Sequence, residues 1–161
     1  MVRDLFAGDG RAVTELIARC EASYRDFAPA GWKPPQRDYS GLYAKLWARG
    51  AFDGEDRLVA TVAWDQFCGP DQAAVPGVAH VSAVFVHPAR WRQGIATALL
   101  NEAEQAMCQR GYHLACLWTS ERGPSRRFYE TNGWRHDGRC KWHDGLELNI
   151  VGYEKRVRAA P

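Results

Sequence analysis

Arg90, Arg92, Gln93 and Gly94 stand close together, and Ile95, Ala96 and Thr97 follow them without a long side chain that could cover the backbone. Guanidinium groups beside an uncovered backbone suit a phosphate, which charge attracts and N–H groups can then hold. The flanking residues give this turn its support. Residues 79–86 are apolar and β-branched enough for a strand buried on at least one face. Pro88 ends it, because proline lacks the N–H of a sheet ladder. Beyond Gly94, the residues Ile95, Ala98, Leu99, Ala103, Ala106 and Met107 fall three or four apart, on one helix face. The unit is therefore strand, basic turn and helix, with unpaired N–H groups and partial positive charge at the helix start. On the same strand, alternation predicts one shared face for His80, Ser82, Val84 and Val86. Imidazole is the side chain best suited to exchange protons at neutral pH.

Two other phosphate-binding units share this outline and do not fit. A P-loop ends in Gly-Lys-Ser/Thr, which is missing here. A dinucleotide fingerprint needs a third small residue where Leu99 stands, and its turn is shorter.

Val86-His87-Pro88, Gly94-Ile95-Ala96 and Leu99-Leu100 together resemble motif A of the GNAT superfamily of N-acetyltransferases. Downstream, Ser125-Arg126-Arg127-Phe128-Tyr129-Glu130-Thr131-Asn132-Gly133-Trp134 resembles motif B, in which Phe-Tyr is followed by three residues, Gly and an aromatic. Two departures stand out. Trp91 occupies a motif A position usually held by Arg or Gln, and Arg122 a motif B position often held by Asn.

The resemblance implies an α/β (α+β) fold with a mixed, mostly antiparallel sheet and helices on both faces. Its central strands, ending near Val86 and Trp118, splay apart and leave a gap for acyl-CoA. It implies acetyl-CoA as cofactor, with pantetheine along Val84, Phe85 and Val86. Pyrophosphate falls to the turn Trp91, Arg92, Gln93, Gly94, Ile95, Ala96 and Thr97, while Arg122 and Arg126 complete the cofactor set. Tyr129 takes the position of the general acid beside the departing thiol. His80 takes that of the base, with Glu121 in reserve. The acceptor is expected opposite the cofactor, against Phe27, Trp32 and Tyr39. Aromatic faces of this kind attract cations and stack on apolar groups, which favours a small-molecule primary amine. A non-catalytic acyl-CoA-binding domain and a protein or peptide N-acetyltransferase remain the alternatives.

Composition is consistent with this. A chain of 161 residues with 46% hydrophobic and 25% charged residues is an ordinary single globular domain, here expected over 1–161. A net charge of +2 gives no reason to expect nucleic acid. Five cysteines without metal-ligand spacing predict neither a metal nor a disulfide framework. No apolar run is long enough for a membrane span, so a cytoplasmic protein is expected, with a homodimer left open.

In chain order, the pattern predicts a strand at Val2–Leu5 and a first helix carrying Ala12, Val13, Leu16, Ile17 and Cys20. A loop follows over Ala28–Arg37. Tyr39, Leu42, Tyr43, Leu46 and Trp47 predict a second helix, with Ser40 as N-cap. Strands at Ala51–Phe52 and Arg57–Trp64 and a loop over Gly69–Gly77 precede the organising strand. Leu114–Trp118 is the next strand, and the short motif B helix follows Gly123-Pro124. A hairpin of Trp134–Trp142 and Leu146–Tyr153 closes the chain.

Overall fold

The computed structural model describes residues 1–43 and 45–158; of Ser40 and Leu42 only the backbone is described, so the expected Ser40 cap lies outside the described side chains. Seven strands form one sheet: β1 Val2–Asp4, β2 Trp47–Phe52, β3 Leu58–Cys68, β4 Ala74–Val86, β5 Leu114–Ser120, β6 Arg135–His143 and β7 Leu148–Arg156. Their order is β1-β2-β3-β4-β5-β7-β6, and every neighbouring pair is antiparallel except β4 with β5. The expected mixed, mostly antiparallel sheet is what forms.

Helices cover both faces. On one side α3 (Ile95–Gln109) lays Leu99, Leu100, Ala103 and Met107 on Ala60, Val62 and Trp64 of β3, and α4 (Ser125–Thr131) adds Tyr129. On the other, α1 (Gly10–Ala22) buries Val13, Leu16, Ile17 and Cys20 against Ala63 and Phe52, with Tyr43 of α2 (Ser40–Tyr43). Each of these side chains is at most 8% exposed, so each helix stripe is anchored by on the order of 1.5–3 kcal/mol per large side chain. Among the described residues no helix is long and apolar enough to cross a membrane.

Three expectations need correction. The second helix stops at Tyr43, and Trp47 instead opens β2, where its ring packs 6.5 Å from Trp64 and 6.1 Å from Tyr112. Helical spacing over so few residues cannot be told from a turn entering a strand. The 69–77 loop is shorter than expected, because β4 already begins at Ala74.

The third correction bears on the site. Ala63 pairs with Ala83 but Trp64 pairs with Val81, so Ser82 is an extra residue without a partner on β3. Such a bulge reverses the alternation. Ala79 and Val81 face α3, and beyond the bulge so do Val84 and Val86, while Ala83 and Phe85 face α1. His80 therefore does not share a face with Val84 and Val86.

Candidate functional site

The strands separate where the two motifs meet. β4 and β5 pair only from Val78↔Leu114 to Val81↔Leu117. Past that point β4 continues on β3 as far as Val86↔Ala60, and β5 continues on β7 as far as Ser120↔Ile150. A wedge opens between Ser82–Val86 and Trp118–Ser120, beginning at the bulge.

The exposed edge of that wedge is backbone. His87 N donates to Val59 O at 2.8 Å, and hydrogen-bonding positions alternate along an antiparallel ladder. Phe85 therefore spends its main-chain groups on β3, while Val84 and Val86 turn theirs into the gap. The Val86 carbonyl is already occupied, accepting from Trp91 Nε1 at 2.8 Å and from the Cys20 thiol at 3.2 Å. What the gap offers a ligand is both groups of Val84 and the N–H of Val86. Trp91, with its indole returned to β4, braces the turn.

At the mouth of the gap stands the N-terminus of α3. Gly94 is its N-cap at φ 77, and no side chain caps the helix. The first amides, from Ile95 to Thr97, have no intrahelical partner. A Cβ built on Gly94 would meet nothing within 4 Å, so the approach is clear. Arg92 is also left-handed, at φ 61, a conformation few non-glycine residues adopt and one found in anion-binding backbone nests. These features fit a pyrophosphate. A cavity of about 350 Å³ also reaches Gly94 and Ile95, but from the side of Phe52 and Val59.

The arginines differ from one another. Arg92, Arg122 and Arg127 are exposed. Arg90 lies 3.6 Å from Asp53. Arg126 donates to the Tyr153 hydroxyl at 3.1 Å, which in turn donates to Glu130 at 2.7 Å, so its reach toward a ligand is limited by that relay.

Tyr129 is 8% exposed, and its ring packs on Phe128, Trp134 and Tyr153. Burial pushes its phenol far above the usual range, so it holds its proton firmly at neutral pH. His80 presents Nδ1 to Asp65 Oδ1 at 3.3 Å, and Ser82 donates to the same carboxylate oxygen at 2.9 Å. The reserve candidate Glu121 is engaged by Asn149, whose N–H and side-chain amide donate to it at 3.3 and 3.4 Å.

The three aromatic residues expected to meet the acceptor do not form one wall. Phe27 lies against Gly123, where φ 93 and a contact of 3.1 Å from a built Cβ leave room for glycine alone. Trp32 is buried and donates from Nε1 to Gly145 O at 2.9 Å, joining the α1–α2 segment to the β6–β7 turn. Both rings pack on Tyr24, with centroids 5.2 and 6.4 Å away. Tyr39 stands apart and donates to Glu21 Oε1 at 2.8 Å; burial first, then that bond, pushes its phenol up to about 12.

Glu21 escaped the motif-based reading, whereas Tyr24 belongs to the same aromatic segment as Phe27, Trp32 and Tyr39. Glu21 carried a signal, since it falls four residues after Ile17 on the apolar stripe of α1, where a charge is out of place. Among the described residues no group of three His, Cys, Asp or Glu side chains could hold a metal.

No curated protein matches the chain. In fold it is similar to an N-acetyltransferase from Staphylococcus aureus Mu50, with a TM-score of 0.73, 15% identity and 98% of each chain covered. It is likewise similar to the PaiA N-acetyltransferase of Thermoplasma acidophilum in complex with coenzyme A, with a TM-score of 0.68, 17% identity, and 97% and 98% of the two chains covered. A third similar structure is the ribosomal-protein-S18-alanine N-acetyltransferase of Escherichia coli, with a TM-score of 0.69, 16% identity, and 100% and 96% covered. A sequence model of the acetyltransferase (GNAT) family matches residues 13–134. The chain therefore belongs to the GNAT family of acetyltransferases, enzymes that draw the group they transfer from acetyl-CoA.

Proposed function

We propose that this chain, as one cytoplasmic domain over 1–161, acetylates the primary amine of a small molecule in a ternary complex with acetyl-CoA. The observation that carries the reading is the wedge between β4 and β5, with the uncapped start of α3 at its mouth. Acetyl-CoA supplies the activated acyl group. The amides of Ile95, Ala96 and Thr97, with Gln93 and Arg92 beside them, hold its pyrophosphate, and Val84 and Val86 align its pantetheine. Arg122 and Arg126 are secondary contacts. A main-chain N–H at the wedge also opposes negative charge that develops on the carbonyl oxygen.

For the transfer to balance, the amine nitrogen bonds to the acyl carbon, the C–S bond breaks, the amine loses a proton and the sulfur gains one. His80 takes the amine proton. A proton on Nδ1, held toward Asp65, leaves Nε2 to accept another. Tyr129 supplies the sulfur, since a buried phenol keeps its proton until a stronger base appears beside it.

A thiol-release assay with arylalkylamines, amino acids, polyamines and peptide N-termini tests the reading on the wild-type chain and on Gly94→Asp. The variant sets a carboxylate against the pyrophosphate at a left-handed position, so acetyl-CoA affinity should fall at least about tenfold. Unchanged affinity removes the α3 N-terminus from the site. Release confined to peptides replaces the small-molecule acceptor with a protein, and release with no amine leaves a binding domain.

A further inference from the structure

Between α1 and the segment 33–39 lies a cavity of about 540 Å³, within the range of small-molecule sites. One buried carboxylate lines it. Glu21 is 7% exposed; its Oε1 accepts from Tyr39, and its Oε2 has no partner among the described residues. A buried carboxylate oxygen without a donor is costly. Desolvation accordingly raises the Glu21 carboxyl, against the opposing pull of the Tyr39 bond and the Arg37 charge.

Around it the charge is reversed. Arg25, Lys33 and Arg37 also line the cavity, all three exposed, and among the described residues none of them is in an ion pair. Pro34 and Pro35 contribute wall with φ already fixed, so little ordering is lost when the space fills. A plain anion would suit the three cations but would place its charge against Glu21. A diamine would suit Glu21 and be repelled by the rim. A molecule with an amine at one end and an acid at the other satisfies both.

We propose that this cavity binds an amino acid or a close analogue, its ammonium drawn to the Glu21 carboxylate and its acid group held among Arg37, Arg25 and Lys33. The inference rests on the acyl-transfer reading in one respect, that this ligand is the acceptor, and so names the acceptor's class. Tyr24 connects the two places. Its hydroxyl lies within electrostatic reach of Glu21 and Tyr39 on one side and of Tyr129 on the other.

The test takes the full chain with coenzyme A present and screens the standard amino acids by thermal shift. The best is then compared by calorimetry with its decarboxylated amine and its deaminated acid. The expected result is binding that weakens at least about tenfold when either group is removed, and about as much in Glu21→Gln and in Arg37→Gln. Arg37 is exposed, so its variant keeps the test alive if Glu21→Gln does not fold. An amine that binds as tightly without its acid group, or no amino acid that raises the melting temperature, overturns the inference. Thiol release from simple amines alongside that failure leaves acyl transfer standing. Amino-acid binding without thiol release supports the site but overturns its ligand as the acceptor, and release with the other amines decides acyl transfer separately.

Discussion

Glu104 and Glu21 are buried on opposite sides of the same sheet, and the fold treats them differently. Glu104, on α3, is 9% exposed and fully engaged. Lys155 Nζ donates to both of its oxygens, at 2.9 and 2.7 Å, and Trp134 Nε1 adds a bond to Oε1 at 3.2 Å. Glu21, on α1, is equally buried and has one oxygen satisfied. A closed network fixes structure, whereas a half-closed one is stable only if something else completes it. The α3 side is thus the platform that holds the uncapped amides after Gly94. The α1 side is the one left unfinished, and it faces a cavity.

Removing the completed partner should have the largest effect. Glu104→Ala leaves the Lys155 charge and the Trp134 N–H facing apolar surroundings. Breaking such a pair costs roughly 3 kcal/mol, the low end for buried pairs because Lys155 keeps 21% of its side chain in solvent. Chemical denaturation measures it, and a loss below about 1 kcal/mol would make Glu104 a surface group and dissolve the contrast.

Tyr129 belongs to both sides, with its ring in the α3 core and its hydroxyl near Tyr24. Tyr129→Phe should lower turnover by about 10²-fold with acetyl-CoA affinity unchanged, since packing is retained. Full turnover would assign the thiol's proton to water or another group.

The smallest effect is a pH dependence. Burial raises the Glu21 carboxyl, so the folded chain keeps this proton where the unfolded chain has lost it. Its contribution is therefore most favourable below the ordinary carboxylate range and is lost as pH rises through the folded value. Asp9, which a hydrogen bond from Arg3 holds below its usual range, acts in the opposite sense in wild type and variant alike. Denaturation midpoints of wild type and Glu21→Gln, compared from about pH 4 to about pH 8, should diverge upward in favour of the variant. Parallel curves would mean that Glu21 is solvated after all.

Much of this fold is legible in the residues. Gly94 followed by the α3 stripe, the Phe128-Tyr129 helix and the proline after β4 all lie where their local chemistry puts them. These signals are local, requiring only that a helix show one face or that a strand lack a donor. What escaped is relational. Trp47 belongs to β2 because Trp64 and Tyr112 lie across from it, and no spacing within 39–47 reveals those partners. The aromatic residues of the α1–α2 segment are divided by their contacts, with Trp32 fixed to Gly145 and Tyr39 to Glu21. Composition alone could not separate the two. Glu21 was the readable exception, a charge on an apolar stripe.

Ser82, the unpaired residue of β4, acts as a phase boundary. Before it, odd-numbered positions face α3; after it, even-numbered ones do. The same hydrophobic-to-polar exchange thus changes meaning at this point, striking the α3 core at Val81 and at Val84 but the α1 side at Ala83. Two strands of equal composition, one with and one without this residue, would look alike in any ungapped comparison and yet present opposite faces along half their length. Deleting Ser82 would bring Val81 and Ala83, whose β3 partners Trp64 and Ala63 are already neighbours, into one regular ladder without the bend that a bulge imposes. One inserted residue thus decides both where the strands begin to part and which side chains look into the opening.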